Sequence, residues 1–435
     1  MKPASKTVRI SGTGHAGHQG RAFNAELGSE IRTNQAPIAK HCLRELTVVS
    51  EDIATIAEAL ALADRMITRH RSKQWARHLD LEIPVFHRAT FERSEVYQAL
   101  LDAACFLTGD DWSISFTERA GQPAKERYLQ LVCDDPTYVV PYSNGLDSFA
   151  QSELLKADHG ERAVWEVRAG KLQRGSDAPR ASLVEVPRRF YAGHPRELSY
   201  RTRPIVYFSI AAIAAATSKS RYIAIGENGQ GSLGPAFARF SSEWPFRSTH
   251  PGFIARLETF LTLALEADFS FTQPQLWRTK GEVVRELRER GLLGEGLSRD
   301  SCSARPNQRR GFAGCGYCGG CLLKQTAIFA AGVNEAPLVA LDYALRTPEM
   351  RGEPITLNER EIFARSAKSM DLFADLSSRP DRDVQIARVA REIPSHHGDR
   401  AAKLLGLAER HRDEWRGFVH SLPAQSWLKE QFASA

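Results

Sequence analysis

Four cysteines constrain this chain more than any other feature: Cys302, then Cys315, Cys318 and Cys321 in the run Cys315-Gly-Tyr-Cys318-Gly-Gly-Cys321. The spacing, C-x12-C-x2-C-x2-C, suits four thiolates around one tetrahedral ion. Two residues between ligands make a tight turn that aims both sulfurs inward, and glycines there let backbone amides approach the thiolates. Four thiolates fill the coordination sphere, so the pattern predicts a structural Zn2+ with no open position for a reacting water. A cluster of free, buried or disulfide-paired cysteines is the alternative, and it leaves C-x2-C-x2-C on a Gly-rich turn unexplained. Chemistry is therefore expected elsewhere in the chain.

Composition narrows the classes. A chain of 435 residues has room for about two to three domains, and 42% apolar with 25% charged residues describes an ordinary globular protein. The net charge of +6 is mild for this length and no long basic run stands out, so nucleic-acid binding is permitted but not indicated. Of the seven cysteines, Cys42, Cys105 and Cys133 lie outside the metal pattern and fit no pairing pattern, which points to a reducing cytoplasm. Residues 1–36 are polar and Gly-rich with no apolar signal-peptide core, and the longest apolar stretch, 205–217, is too short to span a bilayer. A cytoplasmic protein without a membrane segment is expected.

Patterning suggests four regions. Residues 1–36 read as a flexible arm. Residues 37–135 suggest a small α+β domain, with a helix over about 51–70 capped by Ser50, a strand over 79–85, a helix over 91–108, and 112–116 with 127–132 as a hairpin. From residue 136 the pattern changes. Short apolar strands at 138–142, 164–167, 183–186, 222–225 and near 269–271 alternate with helices over about 145–156, 205–217 and 253–266, which predicts an α/β region built on a parallel sheet covered on both faces. Ligands of such sheets bind in the loops beyond the carboxyl ends of the strands. This region runs to 335 and includes the zinc loop. Residues 336–435 read as a helical, charged C-terminal region anchored by Trp415, Phe418, Leu422 and Trp427, and the adjacent His396 and His397 are expected to point apart into solvent.

One loop stands out. Tyr142-Ser143-Asn144-Gly145-Leu146-Asp147-Ser148 follows the first strand of the α/β region and opens a helix. Its small residues let backbone N–H groups turn toward an anion, and the helix N-terminus adds positive partial charge. Ser143 and Ser148 offer hydroxyls to phosphate oxygens. Asp147 cannot bind phosphate, but it can cap the helix or help to hold a Mg2+ ion that does. A plain strand–turn–helix junction with a polar cap is the alternative for this loop taken alone. The run Gly226-Glu-Asn-Gly-Gln-Gly231-Ser232 has P-loop glycine spacing without its lysine, so no Walker A motif is present.

Taken together, these residues resemble a family. S-x-G-x-D-S after a strand is similar to the pyrophosphate loop of the PP-loop ATP pyrophosphatases, usually S-G-G-x-D-S. A cysteine followed by C-G-x-C-x-x-C resembles the 7-cyano-7-deazaguanine synthases (QueC-like) among them. Between the two motifs, Arg201-Thr-Arg203-Pro, Ile225-Gly226-Glu227-Asn228 and Thr279-Lys280-Gly-Glu-Val-Val stand in the order of that family's arginine turn, substrate-loop strand and lysine-led helix. The resemblance covers about residues 136–335. The N-terminal pieces Trp75-Ala-Arg77 and Phe106-Leu-Thr-Gly-Asp-Asp-Trp112 resemble the long QueC-like proteins of Qat-type anti-phage operons.

The resemblance implies a PP-loop core of the HUP (adenine nucleotide α-hydrolase-like) class. It also implies an ATP- and Mg2+-dependent enzyme that adenylates the carboxylate of 7-carboxy-7-deazaguanine, releases pyrophosphate and transfers the acyl group to an amine. The product is an amide or, after a second activation, 7-cyano-7-deazaguanine. The amine is ammonia in the housekeeping enzymes, and the added regions suggest an amine on a partner protein of the same operon. Lys280 and Arg203 would offset charge on the phosphates, with Asp147 beside them. Ser143, Asn144, Gly145, Leu146, Asp147 and Ser148, with Gly226 and Asn228, would hold the nucleotide. The sequence departs from the pattern in three places: Asn144 replaces the second glycine, 229–237 lacks the Asp, Tyr and Pro of the housekeeping substrate loop, and Lys324 stands where an arginine commonly follows the last cysteine. Two other readings remain open, an enzyme modifying a nucleic-acid base and a scaffold with a degenerate nucleotide site.

Overall fold

In a computed structural model of the chain, residues 7–13, 21–28, 30–69, 75–121, 123, 135–170, 180, 182–190, 196–238, 243–302, 314–333, 356–424 and 426–432 are described. In chain order the principal elements begin with β1 (Thr7–Thr13), β2 (Arg21–Glu26), β3 (Arg32–Thr33), α1 (Ala36–Cys42), α2 (Val48–Met66), β4 (His78–Val85), α3 (Arg88–Glu92), α4 (Ser94–Thr108) and β5 (Asp111–Glu118). They continue with β6 (Tyr138–Pro141), α5 (Leu146–His159), β7 (Val164–Ala169), β8 (Leu183–Val186), β9 (Arg188–Arg189), α6 (Arg203–Ser218), β10 (Tyr222–Ala224), α7 (Gly229–Leu233), α8 (Pro251–Leu265) and β11 (Ser270–Thr272). Helices α9 (Lys280–Glu289), α10 (Gly319–Ala330), α11 (Leu357–Ala374), α12 (Arg382–Glu392), α13 (Arg400–Ser421) and α14 (Trp427–Phe432) complete them. By internal contacts the chain divides into two units: Met1–Tyr142, Leu155–Ile225 and Phe240–Thr272 form the first, and Ser143–Leu154, Gly226–Arg239 and Gln273–Ala435 the second.

The first unit holds every strand among the described residues. Strands β11, β10, β6, β7 and β8 lie side by side in that order, and each neighbouring pair is parallel. This is the mixed α/β architecture with a parallel sheet that short apolar strands between helices predict. The Ala-rich α6 packs against β6, β7 and α2, burying Ile205, Val206, Ile210 and Ile213, because its alanines allow close approach on several sides.

A second sheet runs β2-β1-β4-β5. Strands β1 and β2 lie within the stretch expected to be a flexible arm; β1 pairs antiparallel with both β2 and β4. Gly and Ser dilute its apolar alternation, so only the backbone ladder reveals it as a strand. Strand β5 pairs parallel with β4, His78 opposite Asp111, and its expected hairpin partner, 127–132, lies outside the described residues. Two further expectations change. Helix α2 is capped by Thr47, whose side chain accepts from the Ser50 amide at 3.2 Å, so Ser50 falls inside the helix. The helix expected over 91–108 breaks at Arg93, which has an extended backbone while its guanidinium donates to Leu263 O at 2.7 Å.

The motifs Trp75-Ala-Arg77 and Phe106–Trp112 meet in a buried ion network. Arg69 bridges Asp64 (2.8 Å) and Asp110 (2.7 Å), and Arg77 bridges the same two carboxylates at 2.7 and 2.6 Å. Thr202 adds its amide and hydroxyl to Asp64 Oδ2 at 3.0 and 3.1 Å, and the Trp75 indole donates to Thr108 O at 2.7 Å. Burial alone would raise the Asp64 pKa, but the guanidiniums of Arg77 and Arg69 overcome it and hold it at about 2. Among the described residues, no helix is long and apolar enough to cross a membrane.

Candidate active site and metal centre

Loop 143–148 belongs to the second unit and is folded onto its own hydroxyls. The Ser148 side chain accepts from the Ser143 amide at 3.0 Å, and its Oγ lies 3.0 Å from Ser143 O and 3.1 Å from Gly145 O. Ser143 Oγ in turn accepts from the Gly145 amide at 3.1 Å. Leu146 spends its amide on Asp300 O (3.0 Å), and its side chain is buried with Phe149, Val283, Val284 and Ala327. That apolar cluster ties the start of α5 to α9 and α10, so Leu146 anchors the loop. Asn144 O accepts from the Asp300 amide at 3.1 Å, a use of the backbone that tolerates the departure from glycine.

Asp147 opens a polar cluster around α9. Its Oδ2 lies 2.6 Å from Lys280 Nζ, and its Oδ1 accepts from Asn228 Nδ2 at 3.0 Å. Asn228 caps α7 through Oδ1, which accepts from the Gly231 amide at 3.1 Å, and its Nδ2 also reaches Glu227 Oε1 at 3.0 Å. Thr279 and Glu282 form a capping box at the start of α9, which fixes Lys280 as the first helical residue. Lys280 is 3% exposed. Burial would lower its pKa, but Asp147 and Glu227 outweigh burial and raise it, so the ammonium stays charged. Glu227 is shifted upward as well, which for a carboxyl favours the neutral form. Burial and the charge of Asp147 push it up to about 8 despite Lys280, so at neutral pH it carries its proton and the cluster balances as one anion and one cation. Gly226 is required here, because a Cβ at that position would lie 2.4 Å from Asp147 O.

The four cysteines converge. Their sulfurs all lie within 4.8 Å of one another, with Cys315–Cys321 and Cys302–Cys318 at 3.9 Å. A tetrahedral zinc with sulfurs at ~2.3 Å needs sulfur–sulfur edges of ~3.8 Å, so the cage fits that ion. Amides of Cys315 and Cys318 point at Cys302 Sγ (3.2 Å) and Cys315 Sγ (3.3 Å), where they stabilise thiolate charge. Lys324, buried on α10, donates to Leu297 O at 2.8 Å and to Arg299 O at 2.5 Å, bracing the segment that leads into Cys302. Burial and the nearby Lys280 charge lower its pKa to about 7. Asp300 joins cage to loop: besides its two backbone bonds to 144–146, its Oδ1 accepts from the Cys302 amide at 2.6 Å.

The structure thus brings Ser143 through Ser148, Gly226, Asn228, Lys280 and the four cysteines into one unit. Arg203 belongs to the first unit, where it is exposed and donates to the Tyr207 hydroxyl at 2.8 Å. His396 and His397 do not point apart: their rings lie 4.3 Å from each other on a short turn. Sequence reasoning missed Glu227, Gln230, His411 and Glu414 as site residues. For His411 a signal exists, since it falls on the apolar stripe of α13 that runs through Leu404, Leu407, Ala408, Trp415 and Phe418, where a polar residue needs a partner. No protein-family model matches the chain, and no curated protein matches it.

Proposed function

We propose that the chain is an ATP-dependent carbon–nitrogen ligase of the PP-loop, 7-cyano-7-deazaguanine synthase-like type. One observation carries the reading: the S-x-G-x-D-S loop meets a buried lysine, through Asp147, beside a protonated carboxyl and next to a four-cysteine cage. Lys280 Nζ is a desolvated cation whose short ionic partner among the described residues, Asp147, keeps some solvent contact, so a phosphate oxygen can share the ammonium with it. Asp147 would hold a Mg2+ ion through its carboxylate oxygens, joined by Glu227 once that carboxyl gives its proton to solvent, and the ion would offset charge on the phosphates. Zinc in the cage would be structural, since four thiolates leave no position for substrate.

In this reading an oxygen of a substrate carboxylate attacks the α-phosphorus of ATP and the bond to pyrophosphate breaks. An amine then attacks the carbonyl carbon, AMP leaves with the former carboxylate oxygen, and the amine proton passes to solvent. Lys280 stabilises negative charge building on the departing pyrophosphate, and loop 143–148 orients it. Family resemblance makes 7-carboxy-7-deazaguanine the first substrate to try, ammonia or a partner-protein amine the acceptor, and anti-phage defence the setting. The test is release of AMP and pyrophosphate from ATP and magnesium with and without that carboxylate. Release that requires the carboxylate and is lost in Ser143→Ala and Asp147→Ala is expected. Release that ignores both substitutions would move the chemistry elsewhere.

A further inference from the structure

Helix α13 brings two polar side chains to the lysine side of this cluster, His411 buried and Glu414 partly so. His411 Nε2 lies 2.9 Å from Met370 O, and its Nδ1 lies 2.8 Å from Gln230 Nε2. A carbonyl only accepts, so Nε2 must carry the proton and Nδ1 must be a bare acceptor. Burial holds the ring pKa at about 4, so it is neutral at pH 7 and this tautomer persists. Gln230 is then forced to turn its NH2 group to His411. The second hydrogen of that group reaches Glu414 Oε2 at 3.1 Å, and the amide oxygen accepts from the Lys280 backbone N–H at 2.7 Å. Reversing either the imidazole or the amide would set acceptor against acceptor and donor against donor.

The Lys280 amide is one of the first in its helix and has no partner within it, so Gln230 supplies what the helix cannot. Glu414 Oε1 accepts from the hydroxyl of Thr279, the residue before. A Cβ on Gly281, the residue after, would lie 2.3 Å from Glu414 Oε1, so the glycine lets α13 come this close. The Lys280 amide and the Thr279 hydroxyl just before it are therefore held by side chains 50 and 135 residues away in sequence.

We propose that His411, Gln230 and Glu414 are positioning residues that set the Lys280 ammonium against Asp147, making the C-terminal helices a working part of the site. The catalytic side of this inference rests on the reading of Lys280 as a phosphate-facing cation; the positioning side does not. Two substitutions at one position separate positioning from packing. His411→Leu keeps apolar volume and loses the acceptor facing Gln230, whereas His411→Asn keeps an acceptor there and packs worse. We expect His411→Leu to speed hydrogen exchange at the Lys280 amide about tenfold and to lower kcat for carboxylate-dependent pyrophosphate release by a similar factor, with KM for ATP little changed. His411→Asn should stay near wild type in both. A packing role gives the reverse order, Leu tolerated and Asn damaging, and would overturn the proposal. Gln230→Met leaves α13 untouched and serves if His411→Leu does not fold: faster exchange supports the proposal, and unchanged exchange refutes it. Absence of pyrophosphate release from the wild type would refute the adenylation reading, while the exchange order would still decide the positioning.

Discussion

Replacing Glu227 by glutamine removes one proton-binding group from the site and almost preserves its shape. Burial and Asp147 raise this carboxyl from 4.5 to about 8. The folded state therefore binds a proton between those values that the unfolded chain has released, and linkage requires stability to fall as pH rises through that window. Converted at about 1.4 kcal/mol per unit, the shift amounts to about 5 kcal/mol. Glu227 keeps some solvent contact, which screens part of this, so about 2–3 kcal/mol should be recovered by the substitution. Glu227→Gln is thus expected to match wild type near pH 4.5, to become progressively more stable above it, and to hold a constant advantage beyond about pH 8. Thermal unfolding at pH 5, 7 and 9 reads this directly, and 2–3 kcal/mol corresponds to a gain of roughly 5–10 °C in the second unit's transition at pH 9. A pH-independent difference, or a variant less stable than wild type at pH 9, would refute the reasoning.

Two other perturbations probe the scaffold. Asp64→Ala leaves Arg69 and Arg77 short of a buried counter-charge and should cost about 3–5 kcal/mol in urea unfolding at pH 7; a loss under about 1 kcal/mol would contradict the network's role. Wild type should also lose stability as pH falls from about 4 toward 2, where Asp64 takes up its proton, and the variant should lack that slope. Cys318→Ser should abolish stoichiometric zinc measured by atomic emission and, acting through Asp300, speed hydrogen exchange in 143–149. Metal loss with unchanged exchange there would show that cage and loop are independent.

What the chain's order of residues reveals, and what it hides, follows the range of the interactions. The cysteine cage is legible because three of its ligands sit within seven residues and their chemistry dictates the spacing. Loop 143–148 is legible for the same reason, since Ser143, Gly145 and Ser148 satisfy one another locally. The parallel sheet shows in short apolar runs between helices. Strand β1 escapes notice because its pairing with β4 joins residues about 70 apart and its seven residues hold only two apolar ones, Val8 and Ile10. At the break, the Arg93 guanidinium donates to a carbonyl 170 residues away. Glu227 looks like any glutamate until Asp147 and burial raise its pKa. His411 becomes a site residue through Gln230, 181 residues distant, and Glu414 through Gln230 and Thr279, 184 and 135 residues distant. No local pattern encodes such a hydrogen bond.

The central claim is that a carboxylate oxygen attacks the α-phosphorus at this site. Mass spectrometry of AMP formed from 18O-carboxylate substrate, ATP and an amine tests it at the level of one atom. The account predicts AMP carrying a single 18O, in the wild type but not in Lys280→Met at equal time. AMP labelled only when the 18O is supplied as water would mean hydrolysis without acyl activation, and would contradict it.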